Sequence, residues 1–293
     1  MSRVSPKVLA LLGALTLVWG TNWPLFRIAL DELPVFTFRA LVLSSAVIML
    51  TTILLVRRES FAVPKGKWPA LILASAMNIG IWNIATSLAV LYIPSGHASV
   101  LAYTMPLWVA VLGFVVFGQT LTGRLLAAIA IGAGAVAALM IPNFQSYASA
   151  PLGLFWGLLA GFCWAVGTFV VKRTNWSGMG LSLTFWQVLI TLPPIALGAL
   201  VFDGLPTHWP SAKALAATIY TGAIPMALGT ATWFTLVKLL PAQVAALSSI
   251  AIPIVAIVSG ILMLNEPLST LQAVAIGSTV IALWLALVPG QHR

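Results

Sequence analysis

Amide and indole side chains recur inside the long apolar segments of this 293-residue chain. A polar side chain inside such a segment is costly in a membrane, and it generally faces the interior of a helix bundle or a water-filled path. Indole faces attract ammonium groups, while amides and hydroxyls orient ammonium and carboxylate groups. These groups predict a cavity for a small amphiphile with an apolar side chain. The candidate lining residues are Trp19, Asn22, Asn78, Trp82, Asn83, Tyr103, Trp164, Trp186, Gln187 and Trp233.

Helical spacing places some of these candidates side by side. Asn78 and Trp82 are four residues apart and therefore share one face of a helix. The amides have an alternative role as interhelical hydrogen-bonding groups, and the tryptophans have alternative roles in helix packing or lipid contact. Tryptophans near segment ends are expected to anchor at the bilayer surfaces, and these are Trp23, Trp68, Trp176, Trp209 and Trp284.

Groups for covalent or metal-assisted catalysis are sparse. Metal-assisted hydrolysis needs clustered histidine, cysteine or carboxylate ligands, but the three histidines are scattered at His97, His208 and His292. No HExxH motif is present, and the single cysteine, Cys163, cannot form an intrachain disulfide. We therefore expect neither an enzyme nor a bound metal or cofactor.

Composition places the candidate residues in a membrane protein. Hydrophobic residues make up 61% of the chain and charged residues 6%, with a mean hydropathy of +1.07, whereas a soluble domain carries roughly 25% charged residues. The apolar runs approach the length of about 20 residues that a helix needs to cross a bilayer. We predict an all-α polytopic membrane protein with ten transmembrane helices, at residues 8–29, 36–56, 68–90, 97–117, 122–141, 152–171, 180–201, 212–236, 243–264 and 269–288.

The placement of lysine and arginine predicts the orientation of these spans. With a cytoplasmic N-terminus, all of the 14 basic residues except Arg27, Arg39 and Lys213 fall on the cytoplasmic side. This bias follows the positive-inside rule, and ten spans then place both termini in the cytoplasm. Topology accounts for the net charge of +9, so the expected partner is the lipid bilayer and not nucleic acid.

The chain repeats itself at an offset of 147 residues. Gly20-Thr21 recurs as Gly167-Thr168, and Thr37-Phe38 recurs as Thr184-Phe185. We therefore divide the chain into a first five-helix repeat, residues 1–146, and a second, residues 147–293. Because five is odd, the second repeat must be inverted relative to the first. Inverted repeats are typical of secondary transporters, whose substrate sites lie where the repeats meet.

Two proline pairs share the same offset. Pro94 and Pro241 lie between predicted spans, whereas Pro106 and Pro253 lie inside spans 4 and 9. A proline inside a helix removes a backbone donor and permits a kink. We interpret the hairpins of spans 3–4 and 8–9 as candidate hinges or gates, while static kinks remain an alternative. The gate candidates are Pro94, Pro106, Pro241 and Pro253, together with His97 and Gln243.

A resemblance follows from these features. Val18-Trp19-Gly20 and Asn265-Glu266-Pro267-Leu268-Ser269, with ten spans in two inverted halves, resemble the EamA family of the drug/metabolite transporter superfamily. The first half departs from the second motif, with Gln119 where the family pattern has glutamate. The sequence is most similar to the YddG-type aromatic amino acid exporters of the bacterial inner membrane. This resemblance implies export of neutral and aromatic amino acids; other small metabolites and organic cations remain alternatives, and the oligomeric state stays open, with a monomer as one option.

Charged groups bear on the energy source of such transport. All five acids fall in loops or at span ends: Asp31, Glu32, Glu59, Asp203 and Glu266. Exporters that exchange protons for cationic drugs commonly use a buried acid, so we expect uncoupled facilitated diffusion, with proton antiport through His97 as the alternative. Arg39 either attracts anions or extends to the interface, and we expect the latter. Phosphorylated substrates are disfavoured because they need paired deep cations.

Overall fold

The structure is a computed structural model. It describes residues 6–118, 149–204, 209–240 and 249–265, together with isolated residues between 123 and 137. All regular secondary structure in these described residues is helical. Within the described residues, seven helices are long and apolar enough to cross a membrane, and an eighth is shorter. They are α1 (Pro6–Leu30), α2 (Val35–Arg57), α3 (Trp68–Tyr92), α4 (Ser95–Val115), α5 (Pro151–Arg173), α6 (Ser182–Asp203), α7 (Ala212–Leu239) and α8 (Ile252–Leu264).

These helices match eight of the predicted spans. Helices α1–α4 correspond to predicted spans 1–4, and α5–α8 correspond to predicted spans 6–9. Predicted spans 5 and 10 lie outside the regions that the structure describes as continuous chain. The match follows from hydropathy, because a membrane-length apolar segment satisfies its backbone polar groups by forming a helix.

Irregular turns recur at the offset of the sequence repeat. Helix α3 contains a π-helical segment at Ser75–Ile81, and α7 contains one at Gly222–Gly229, so their first residues are 147 apart. Helix α4 is interrupted before Met105, and α8 begins at Ile252, again 147 apart. Pro106 and Pro253 are the second residues of these two segments, where a missing N–H leaves no bond unmade. The repeat therefore extends to local helix geometry.

One side of the bundle, face A, carries the connection between α1 and α2. The Glu32 carboxylate there accepts hydrogen bonds from the Ser211 backbone N–H and hydroxyl, both at 2.6 Å. The Asp203 carboxylate accepts bonds from the Thr37 backbone N–H at 2.6 Å and hydroxyl at 2.8 Å. These contacts place the start of α2, the end of α6 and the start of α7 on face A.

The start of α5 also lies on face A. Gly153 is so close to the Ile93 side chain, between α3 and α4, that an added Cβ would lie 2.9 Å from it. Small residues permit such close approach of membrane helices. The first turn of α5 therefore packs against the α3–α4 connection.

The opposite side, face B, carries the connection between α2 and α3. The Trp186 indole, near the start of α6, donates a hydrogen bond of 2.6 Å to the Phe61 carbonyl in this connection. The guanidinium of Arg173, at the end of α5, lies 3.8 Å from the ring centroid of Phe117, just beyond α4. The ends of α2, α4 and α5 thus share face B with the start of α6.

Candidate functional site

Four tryptophans from four different helices meet in the middle of the bundle. They are Trp19 of α1, Trp82 of α3, Trp164 of α5 and Trp233 of α7. Trp164 lies at the centre, with ring centroids 5.4 Å from Trp19, 5.0 Å from Trp82 and 6.2 Å from Trp233. Such edge-on and tilted arrangements are favoured by the ring quadrupoles. We call these four side chains the tryptophan cluster; it joins two helices of each sequence half.

A small cavity adjoins the tryptophan cluster. Its volume is about 20 Å³, which is enough for one water molecule but far below the several hundred Å³ of a typical ligand pocket. The cavity is therefore contracted, and its walls have to separate before an amino acid fits. It is lined by Trp19, Asn22, Trp23, Phe26, Trp82, Tyr103, Trp164, Pro225, Met226 and Thr230.

The π-helical segment of α7 receives the Trp19 side chain. The Trp19 indole donates a hydrogen bond of 3.0 Å to the Pro225 carbonyl. Gly229 lies directly beneath the indole, where any Cβ would overlap it. Asn22, one turn further along α1, accepts a bond of 2.8 Å from the Thr221 hydroxyl. These bonds tie α1 of the first half to α7 of the second half at the cavity wall.

Three predicted amides lie outside the lining of this cavity. Asn78 and Gln187 are fully buried and hydrogen-bonded to each other, with Nδ2 to Oε1 at 3.3 Å. Asn83 is also buried and donates to the Ile79 carbonyl at 2.7 Å. Asn78 Oδ1, Asn83 Oδ1 and Gln187 Nε2 have no protein partner within the described residues. Asn78 and Gln187 therefore join α3 to α6, and Asn83 bonds within α3; none of the three lines the cavity.

Gly167 of α5 makes room for Asn78. A Cβ built on Gly167 overlaps the Asn78 amide, so we expect Gly167→Ala to destabilise the protein by about 1 to 3 kcal/mol. The melting temperature of the purified variant in detergent measures this loss. Gly13→Ala is the matched control, because no atom lies within 4 Å of its added Cβ; equal melting temperatures for the two variants would contradict the packing argument.

Trp186 lies at face B, away from the central cavity. Besides its hydrogen bond to Phe61, its ring lies 5.2 Å from that of Trp68. The neighbouring Phe185 ring lies 5.1 Å from the Phe61 ring. The structure thus brings Trp186 to the α2–α3 connection and not to the tryptophan cluster.

The gate candidates occupy helix junctions. Pro94 is the N-cap of α4 and has extended backbone, while Pro106 and Pro253 begin new helical segments. His97 is buried in the first turn of α4. Pro241 and Gln243 lie outside the described residues. Pro94, Pro106 and Pro253 therefore stand where helices or helical segments start, whereas Pro193 and Pro194, which were not gate candidates, lie inside α6.

Basic side chains cap the two helices that precede these junctions. Arg27 of α1 donates to the Val90 carbonyl of α3 at 3.3 Å. Lys172 of α5 donates to the Val237 and Leu240 carbonyls at the end of α7, both at 2.8 Å. Val90 and Val237 are 147 residues apart, so equivalent carbonyls are capped in the two halves. We call these contacts the Arg27 cap, on face A, and the Lys172 cap, on face B.

Both halves of the chain match the profile of one known protein family. The profile of the EamA-like transporter family matches residues 6–141 and, a second time, residues 151–288. The chain belongs to the EamA-like transporter family. It is therefore a multi-pass membrane transporter built from two related halves, as the sequence predicted.

Relatives of this EamA-like transporter include proteins named as efflux pumps. A probable amino-acid metabolite efflux pump of Escherichia coli (strain K12) is 28% identical over 93% of this chain and 91% of its own length. A probable terminal-alkyne amino-acid exporter of Streptantibioticus cattleyicolor is 28% identical over 90% of this chain and 87% of its own. A crystal structure that is 19% identical and covers 97% of both chains superposes with a TM-score of 0.77, which supports the fold alone.

Arg39 of this EamA-like transporter lies inside the bundle, not at the membrane interface. The expectation that it extends to the interface is wrong, because its side chain is fully buried in α2. Its Nε donates to the Ser87 hydroxyl at 2.6 Å, and its Nη2 donates to the Thr86 hydroxyl at 3.0 Å. The signal available in the sequence was the hydroxyl pair Thr86-Ser87 inside an apolar span, since buried cations need polar neighbours.

Trp23 of the EamA-like chain is also buried. Its expected place at the bilayer surface is wrong, since only 2% of its surface is exposed and it lines the cavity. By contrast, Trp68 and Trp209 are exposed, at 42% and 95%, as expected of interfacial anchors. Trp176 is buried and bonds the Val171 carbonyl, while Trp284 lies outside the described residues.

Proposed function

We propose that this transporter exports neutral and aromatic amino acids across the bacterial inner membrane by alternating access. The single observation behind the proposal is the tryptophan cluster beside a contracted cavity, where helices of both sequence halves meet. Substrate sites of repeat-built transporters lie at such a meeting point. A cavity that has to open before it admits a ligand fits a carrier better than a pore.

The cavity wall suits the proposed substrates. Indole and phenyl rings offer apolar surface to an aromatic or aliphatic side chain. Asn22, Tyr103 and Thr230 add amide and hydroxyl groups that suit a zwitterionic head group. The names of the relatives from E. coli and S. cattleyicolor, an amino-acid metabolite efflux pump and an amino-acid exporter, support the same substrate class.

We propose ten spans in two inverted five-helix repeats, residues 1–146 and 147–293. Helix α4 ends on face B and α5 begins on face A, which supports a fifth span between them. Basic residues gather on face B, at Arg57, Lys67, Lys172, Arg173 and Lys238. By the positive-inside rule, face B and both termini are cytoplasmic.

We further propose that transport is uncoupled from protons. The acids on the described helices and loops lie at the faces, as Asp203 and Glu32 do in their bonds to Thr37 and Ser211. No cofactor or nucleic-acid partner is part of the proposal, and a monomer suffices for the mechanism. Proton antiport and carriage of organic cations are the alternatives that the experiment below separates from it.

Counterflow in proteoliposomes tests the proposed function. Purified protein is reconstituted with unlabelled phenylalanine inside, and uptake of labelled phenylalanine, leucine, glutamate and methyl viologen is measured with and without a pH gradient. We expect saturable, trans-stimulated uptake of phenylalanine and leucine that is insensitive to the gradient. Uptake of methyl viologen alone would overturn the substrate class, uptake that depends on the gradient would overturn the uncoupled mechanism, and unsaturable flux would indicate a pore.

A further inference from the structure

Arg39 is a buried cation without a counter-ion among the residues that the structure describes. Its side chain is fully buried, and the ion pairs found in this part of the chain are Arg27–Asp31 and Arg57–Glu59. Its hydrogen-bonding partners are the neutral hydroxyls of Thr86 and Ser87. A buried charge without a partner is strongly unfavourable, so such residues inside membrane spans commonly mark a substrate path.

The guanidinium retains hydrogen-bonding capacity. Nη1 has no partner within the described residues, although it is buried. An arginine has five N–H donors in a planar fork that matches the two oxygens of a carboxylate. The rings of Phe26 and Phe38 lie 4.1 and 4.7 Å from Cζ and cover the guanidinium. Cation–π contacts of this kind stabilise the charge while no anion is bound.

Arg39 lies one residue layer behind the central cavity. Phe26, which contacts the guanidinium, also lines the cavity. Thr86, which bonds the guanidinium, donates in turn to the carbonyl of Trp82, another lining residue. Phe26 thus belongs to the cavity wall and Thr86 bonds it, and this wall has to move when the contracted cavity opens.

We propose that Arg39 binds the carboxylate of the substrate once Phe26 has moved aside. The proposal rests on the proposed function and defines its substrate class more narrowly. The required features are a carboxylate for Arg39 and an apolar side chain for the tryptophan cluster. The ammonium group is dispensable, so monocarboxylates such as 3-phenylpropionate bind, and amines that lack a carboxylate, such as phenethylamine, do not.

Ligand-induced stabilisation tests the binding step directly. The melting temperature of the purified protein is measured with phenylalanine, 3-phenylpropionate and phenethylamine. We expect the first two to raise it, because a ligand that binds only the folded state stabilises that state, and phenethylamine to leave it unchanged. Stabilisation by phenethylamine alone, or by none of the three compounds, would overturn the proposal.

Arg39→Met separates a binding role from a structural one. Replacing a buried charge with an apolar side chain of similar size is often neutral or stabilising, so we expect an unchanged or higher melting temperature without ligand. The ligand-induced shift should vanish, and phenylalanine counterflow should fall by about 30-fold or more. A variant that melts lower but keeps the ligand-induced shift would show a structural arginine and overturn the proposal.

Arg39→Lys and Lys213→Gln test the importance of the planar fork and of positive charge in general. Arg39→Lys keeps the charge but loses the planar fork, so it should keep part of the response to 3-phenylpropionate. Lys213→Gln removes an exposed cation near face A and should match the unmodified protein. If carboxylates shift the melting temperature through Arg39 but no counterflow occurs, the proposed function fails and the carboxylate site stands.

Discussion

Trp164→Ala is expected to reduce transport of aromatic amino acids by about 30-fold or more, because buried tryptophans are often the dominant binding residues of a site. Trp164 is the ring that touches the other three members of the tryptophan cluster. Its loss removes apolar surface from the cavity wall. It also leaves an unfilled space in the contracted state, at a cost of about 3 to 5 kcal/mol. The measurement is initial-rate counterflow of labelled phenylalanine.

Matched variants separate the cavity role from general stability. Trp156 lies on the same helix, is half-buried and does not line the central cavity, so Trp156→Ala should keep most of the transport. Trp164→Phe retains a ring and should recover much of the lost rate. If Trp156→Ala and Trp164→Ala impaired transport equally, the tryptophan cluster would have no special place in the mechanism.

The sequence predicted the helices and the central aromatic residues well, for a shared reason. Hydropathy determines which segments cross a membrane, and tryptophans in the middle of several spans have few places to go except the bundle interior. Trp19, Trp82, Trp164 and Trp233 are all candidate lining residues from the sequence, and the structure brings them together. Their positions within apolar spans were enough to select them.

The positions of Asn78, Gln187, Trp186 and Arg39 could not be predicted, because they depend on contacts between distant parts of the chain. Asn78 and Gln187 bond each other across α3 and α6, and helix rotation alone decides whether an amide meets a neighbour or a cavity. Trp186 bonds a carbonyl of the α2–α3 connection, and its position could not be read from its own span. Arg39 is buried because Thr86 and Ser87 happen to lie opposite. Such pairings are set by tertiary packing, which a single sequence does not display.

The two halves correspond in local helix geometry as well as in sequence. The offset predicted which prolines correspond, and the structure adds that π-helical segments and helix starts correspond as well. It also shows where the halves differ, because Trp82 of α3 corresponds to Gly229 of α7. A glycine there leaves room for Trp19, whose indole lies against it. The difference between the halves thus creates the contact that joins them at the cavity.

The Arg27 cap and the Lys172 cap hold equivalent helix ends in the two halves. A helix leaves its last carbonyls without N–H partners, and a cation at that end is favoured both by hydrogen bonding and by the helix dipole. Ile93 and Leu240, the residues directly after α3 and α7, both have extended backbone, as is typical before proline. Each cap therefore holds a helix end at the junction where the adjacent hairpin would have to bend.

The caps lie on opposite faces and should act in opposite directions. Lys172→Met removes the bonds to Val237 and Leu240 on face B, so the population open to face B should rise. Because a charged hydrogen bond contributes about 1.5 to 3 kcal/mol, the rise should be about tenfold or more. Arg27→Met should favour opening to face A, by a smaller factor, since Arg27 makes one longer bond at 3.3 Å.

Labelling of a cavity cysteine measures both populations. Thr230→Cys introduces a thiol into the cavity wall, in a Cys163→Ser background that removes the native thiol. A membrane-impermeant reagent is then applied from each side of oriented vesicles. Lys172→Met should speed labelling from face B and Arg27→Met from face A, while Lys213→Met, an exposed cation outside both caps, should change neither rate. If both cap variants sped labelling from the same face, the caps would not act as opposed locks, and the two halves would not gate the cavity in turn.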